Sequence, residues 1–162
     1  MDTEPKYTDE EWGLLVGLPQ SVLIAASQAE PDGSRRTREE WTAGMTAIAD
    51  GRGSSSPLVK SVAAEVVSRQ GDVTDGDEPP IIEFPDRDAG LADVISRARA
   101  AHELLAAKAG PADAESYRYW VVTVADQVVG AARTGGVLGL GGEQVTQAER
   151  TFRDDLATAL EI

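Results

Sequence analysis

DAESYRYWVVTVADQVVGAAR, residues 113–133, is the stretch that decides the fold. Tyr117, Val121, Val124, Val128 and Ala131 fall on one face at helical spacing, and Val122, Ala125, Val129 and Ala132 fall on the next. Only a narrow strip of Tyr119, Thr123, Asp126, Gln127, Gly130 and Arg133 is polar or small. A helix apolar over most of its circumference belongs at the centre of a bundle. The β-branched and aromatic run 117–124 also suits a strand. The pattern, however, continues to Arg133, too far for a typical strand. The segment predicts a central helix in an all-α fold.

Working outward, the chain supplies helices to surround it. Three S/T-x-x-E capping boxes mark helix starts: Thr8 with Glu11, Thr37 with Glu40, and Thr146 with Glu149. Tyr7 and Trp12 flank the first box at the hydrophobic-staple positions. A first helix over 9–29 carries Leu15, Leu18, Val22 and Ala25 on one stripe, and Gly17 and Pro19 predict a kink or break near Leu18. A second runs from Arg38 to Asp50 with Trp41, Met45 and Ile48 inward. Ser56 caps a third that begins at Pro57, with Val59, Val62 and Val66 as its face. A fourth, over 89–109, is striped by Leu91, Val94, Ile95, Ala98 and Leu105, and a last, over 147–160, by Ala148, Phe152, Leu156 and Leu160. Between the third and fourth lies an acidic, non-helical segment, 71–88, whose Ile81, Ile82 and Phe84 are expected to pack onto the bundle. The expectation is one domain over 1–162: a single bundle of five or six helices. The spacing from Trp12 to Thr37 is close to that from Trp120 to Thr146, as a duplicated helical hairpin would give.

Composition narrows the function. A formal net charge of −13 over 162 residues repels phosphate backbones and anionic lipid, so neither nucleic acid nor membrane is an expected partner. With 0 cysteines the chain has no disulfide, thiolate nucleophile or Cys-ligated metal. The start Met1-Asp2-Thr3-Glu4 is acidic where a signal peptide needs basic residues, which predicts a cytoplasmic protein.

Catalytic signals are sparse. His102 is the single histidine, and it lies on the apolar stripe of the fourth helix, where a partly buried structural role is expected. The loop 135–142, Gly-Gly-Val-Leu-Gly-Leu-Gly-Gly, has the glycine spacing of a phosphate loop. Gly142 and Glu143 stand where Lys and Ser or Thr are required, so no nucleotide cofactor follows and none of any other kind is expected. Val137, Leu138 and Leu140 instead offer an apolar loop that either tucks inward or docks a partner. Asp32 and Glu40 are the candidate carboxylates for a hard cation, although the spacing is not that of an EF-hand. A ligand pocket beside the central helix would draw on Tyr119, Asp126 or His102.

Residues 119–160 resemble the C-terminal part of a family of uncharacterised bacterial helical proteins. The family pattern is Trp, a Val/Ala-rich helix, Gly-Gly-Phe-Leu-Gly-x-Gly-Gly, then Val-Ser-x-x-Glu; here it reads Trp120, residues 121–133, Gly-Gly-Val-Leu-Gly-Leu-Gly-Gly at 135–142, then Val145-Thr146-Gln147-Ala148-Glu149, with Val137 in place of Phe and Thr146 in place of Ser. That resemblance implies a helical fold and no particular activity. The run Ala29-Glu30-Pro31-Asp32-Gly33, followed by Glu39-Glu40, is similar to the TerB-like helical domains associated with tellurite resistance, which would imply an acidic, metal-associated surface around Asp32 and Glu40. The sequence thus points first to a non-enzymatic interaction or scaffold protein binding an unknown partner or itself. A metal-responsive helical protein comes second, and a small-ligand binder or enzyme third.

Overall fold

The computed structural model describes residues 7–28, 34–70, 86–134 and 147–162. Among them the fold is all-α: α1 (Asp9–Gln28), α2 (Ser34–Asp50), α3 (Pro57–Gln70), α4 (Arg87–Lys108), α5 (Pro111–Thr134) and α6 (Gln147–Ala159), with a 3₁₀ turn at Gly51–Gly53. No described helix is long and apolar enough to cross a membrane. The expected packing of 81–84 lies outside the described residues.

Several helix starts follow from local chemistry. At α1 both halves of the first capping box form: the Glu11 amide donates to Thr8 Oγ1 at 3.1 Å, and the Thr8 amide donates to Glu11 Oε1 at 2.9 Å. The Tyr7 and Trp12 rings meet at 6.0 Å, completing the staple. Ser56 Oγ accepts from the Val59 amide at 3.3 Å and donates to Asp113 Oδ1 at 2.6 Å, so one hydroxyl caps α3 and ties it to the first turn of α5. Asp86 caps α4, accepting from the Ala89 amide at 3.1 Å, which starts that helix earlier than its apolar stripe does.

One start differs from expectation. α2 begins at Ser34, so Thr37 lies inside the helix and is not its N-cap. The Thr37–Glu40 spacing is that of a capping box, but it is equally one turn of an established helix. The arginines at 35, 36 and 38 are good helix formers that carry the helix upstream.

The core is a single cluster of Val, Leu, Ala and a few aromatics. As expected, α5 is central: Tyr117, Val121, Val124, Ala125 and Val128 are all at 0% exposure, and α5 touches every other helix. The structure adds a second central helix, because α1 also touches all the others. Gly44 of α2 faces both. A Cβ there would lie 2.5 Å from Leu23 Cγ and 2.8 Å from Val128 Cγ2, so the absent side chain sets the approach of three helices.

α1 runs through Pro19 as one helix, so of the kink or break expected near Leu18 the break is absent. Proline lacks the N–H that would bond the carbonyl four residues back, here that of Leu15, and its ring crowds that carbonyl. A buried carbonyl without a donor is costly. Tyr117 supplies the donor: its Oη bonds to the Leu15 carbonyl at 2.7 Å, in the closed core. Burial pushes the phenol's pKa far above its ordinary value, which keeps the proton on the donor. One residue on, Arg118 Nη1 donates to the carbonyls of Leu160 and Glu161 at 3.1 and 3.2 Å, closing the end of α6. That end is a Schellman turn, in which the Ile162 amide bonds to Ala157 and the Glu161 amide to Thr158, with Glu161 at φ 57.

Candidate functional site

The third donor on this turn of α5 is Trp120. Its Nε1–H bonds to the Ala47 carbonyl at 3.2 Å, near the end of α2, where helical carbonyls begin to lose their own partners. The indole can lie there because residue 51 is glycine: a Cβ would come within 2.7 Å of Trp120 Nε1. Ring, glycine and carbonyl together form the floor of an open groove of about 440 Å³ between α2 and α5. Ala43, Thr46, Ala47 and Asp50 line it from α2, and Ser116, Thr123 and Gln127 from α5. Ser54 and Val59 close the end beside α3.

Much of the polar lining serves the fold. Thr123 Oγ1 donates to the Tyr119 carbonyl at 2.8 Å, and Ser54 Oγ accepts from the Ser56 amide at 3.0 Å. The indole N–H is committed to Ala47. Among the described residues Asp50 is the one titratable side chain in the lining, and no lysine, arginine or histidine lines the groove. General acid–base or nucleophilic chemistry needs a second group within hydrogen-bond reach of the first, and the lining offers no histidine, second carboxylate or lysine to pair with Asp50. The arrangement suits binding.

The residues expected to line a pocket beside the central helix lie elsewhere. Asp126 is held by Arg153 of α6, with Nε at 2.8 Å and Nη2 at 3.4 Å from its two oxygens, and that bond raises the guanidinium pKa. His102 places Nε2 3.3 Å from Glu161 Oε2, while its Nδ1 is buried without a hydrogen bond. It is the partly buried histidine of a helix face. Tyr119, at 52% exposure, projects outward from α5 between the groove residues Ser116 and Thr123.

The metal and partner candidates fare differently. Asp32 lies outside the described residues. Glu40 is at 0% exposure and engaged within the protein, so it is a core residue of α2 and not part of an acidic surface. Among the described residues no three His, Asp or Glu side chains gather as a metal site requires. Val137, Leu138 and Leu140 lie outside the described residues.

Sequence reasoning expected a pocket beside the central helix but missed the residues that line this groove. Its one sequence signal was Gly51 beside Asp50 at the end of a helix, which reads as a linker until Trp120 is placed over it. No protein-family model matches the chain, no curated protein matches its sequence, and no solved structure matches its fold.

Proposed function

We propose that the protein is a non-enzymatic binding module, a helical scaffold that receives a protein partner on the face shared by α2 and α5. The observation that carries this reading is the groove over Trp120, open to solvent, with Asp50 as the single titratable side chain among the described lining residues. Among the described residues Tyr119 and Ile162 are the large hydrophobics most exposed to water, and Tyr119 is the α5 residue next to Trp120 in the chain. Apolar surface beside a preformed concavity is the arrangement binding faces use.

Kinship with the bacterial helical proteins that share the Trp and Gly-Gly pattern belongs to this proposal, as does a cytoplasmic setting. The Trp and Gly-Gly pattern supports the first and the cysteine-free composition the second. Val137, Leu138 and Leu140 are candidates for a second contact with the partner.

The test is display of a random peptide library against the full chain and against Thr123→Arg, which fills the groove from an exposed position. Peptides that bind the parent and are lost on Thr123→Arg, with the melting temperature unchanged, support the reading. A library that yields no binder sensitive to Thr123→Arg overturns it.

A further inference from the structure

The groove has a sign as well as a shape. Its single charge is the Asp50 carboxylate, with which no described cation is ion-paired. Asp50 is also the last residue of α2, where the helix dipole presents its negative end, and α2 has no basic residue in its last turn. Arg52, just past the helix, turns its Nε to the Ala49 carbonyl at 3.1 Å and is not among the groove residues. The nearby N-termini of α3 and α5, the positive ends of their helices, already share Asp113 through its bond to Ser56. Carboxylate, helix end and the net charge of −13 therefore act in one direction at the mouth, over an indole fixed from behind by Ala47.

We infer that the groove takes an arginine side chain from a basic segment of a partner protein, with its stem and guanidinium plane over Trp120 and its head at Asp50. This rests on the binding-module reading and adds the chemistry of the occupant. Arginine fits because its planar, weakly hydrated head both stacks on an aromatic face and matches a carboxylate with paired N–H donors. A protein segment fits better than a free small cation. The groove is open and encloses little of a small molecule, whereas a protein segment extends beyond it and can gain area on the exposed surface of α5, where Tyr119 is 52% exposed.

The experiment titrates the isotope-labelled full chain with two capped pentapeptides, Ala-Leu-Arg-Ala-Leu and the same peptide with citrulline, the uncharged isostere, in place of arginine. Amide signals of Asp50, Gly51 and Thr123 and the Trp120 indole N–H report the groove. The arginine peptide is expected to shift these signals and to bind about fivefold tighter than the citrulline peptide, the upper range for a solvent-exposed ion pair. Asp50→Asn removes that difference, and added salt shrinks it. Equal binding of both peptides at the groove overturns the arginine inference and leaves the binding-module reading standing. Silence of the groove signals with both peptides also overturns it. The binding-module reading then stands or falls on the displayed peptides that Thr123→Arg does or does not abolish.

Discussion

Tyr117 and Trp120 stand three residues apart on α5 and solve the same problem at two junctions. Each donates a hydrogen bond to a backbone carbonyl of another helix: Tyr117 to Leu15 of α1, Trp120 to Ala47 of α2. The first junction is closed, with Tyr117 at 0% exposure. The second forms the floor of a groove, with Trp120 at 9%. The α1 carbonyl is orphaned by Pro19 in mid-helix, where water cannot serve it. The α2 carbonyl lies near a helix end, which brings the ring to the surface. The place of the accepting carbonyl, in mid-helix or near a helix end, therefore goes with whether the aromatic that bonds it is sealed in the core or lies on the floor of a groove.

Two glycines, one inside α2 and one opening the 3₁₀ turn that follows it, give the sharpest way to break this comparison. Gly44 faces the closed side and Gly51 the open side, and each meets heavy atoms under 3.0 Å from an added Cβ. Gly44→Ala must displace Leu23 Cγ and Val128 Cγ2 inside a filled core. It is expected to cost about 3 kcal/mol, the upper end of overpacking, despite alanine's better helix propensity. Gly51→Ala pushes on the Trp120 ring, which can tilt into the groove, so about 1–2 kcal/mol is expected. Urea unfolding of both variants measures the order. If Gly51→Ala costs as much as Gly44→Ala, the groove floor is as rigid as the core and the distinction between the junctions fails.

The closed junction makes a second demand. Tyr117→Phe keeps the ring and leaves the Leu15 carbonyl buried without a donor, a loss of about 2 kcal/mol. Pro19→Ala restores the amide that a regular helix would aim at that carbonyl. The cost of Tyr117→Phe should therefore be smaller in the Pro19→Ala background by about 1 kcal/mol. A double-mutant cycle that closes additively would show that Tyr117 does not compensate for the proline.

This coupling also explains what could be read in the sequence and what could not. The faces of α1, α3, α5 and α6 were legible because Val, Leu and Ala recur at the helical period, and the buried residues follow those stripes. The caps at Thr8 and Ser56 were legible because their partners are three residues away. The α2 start was misplaced because Thr37-x-x-Glu40 carries the same spacing inside a helix as at its end. The continuity of α1 through Pro19 was not foreseen, because the Tyr117 hydroxyl that serves the Leu15 carbonyl is 98 positions from the proline and no local pattern couples the two. For the same reason the second central helix was hidden: Gly17 and Pro19 make α1 read as interrupted. A pocket beside the central helix was expected, but its lining was illegible, since it comes from separated stretches of chain and its floor exists only once Trp120 lies over Gly51.

Titration offers a finer separation of the two junctions, because the phenol can lose its proton and the indole cannot. Burial raises the Tyr117 pKa from the ordinary 10.0, so the folded state holds that proton more tightly than the unfolded chain. A group whose folded pKa is raised gives its full stability below the unfolded value. That stability is then lost as pH climbs from there toward the folded one. Stability is therefore expected to be insensitive to Tyr117 up to about pH 10 and to fall by about 1.4 kcal/mol per pH unit above it. Tyr7, whose pKa is raised first by burial and then by Asp113 and Glu11, adds to the alkaline loss in every variant. The comparison of the parent with Tyr117→Phe cancels that contribution. Denaturant unfolding between pH 9 and 11.5 should show the two stability curves converging as pH rises, since the variant has no phenol at 117 to ionise. Curves that stay parallel would mean that water reaches the Leu15 carbonyl, and the closed junction would then be no more sealed than the groove.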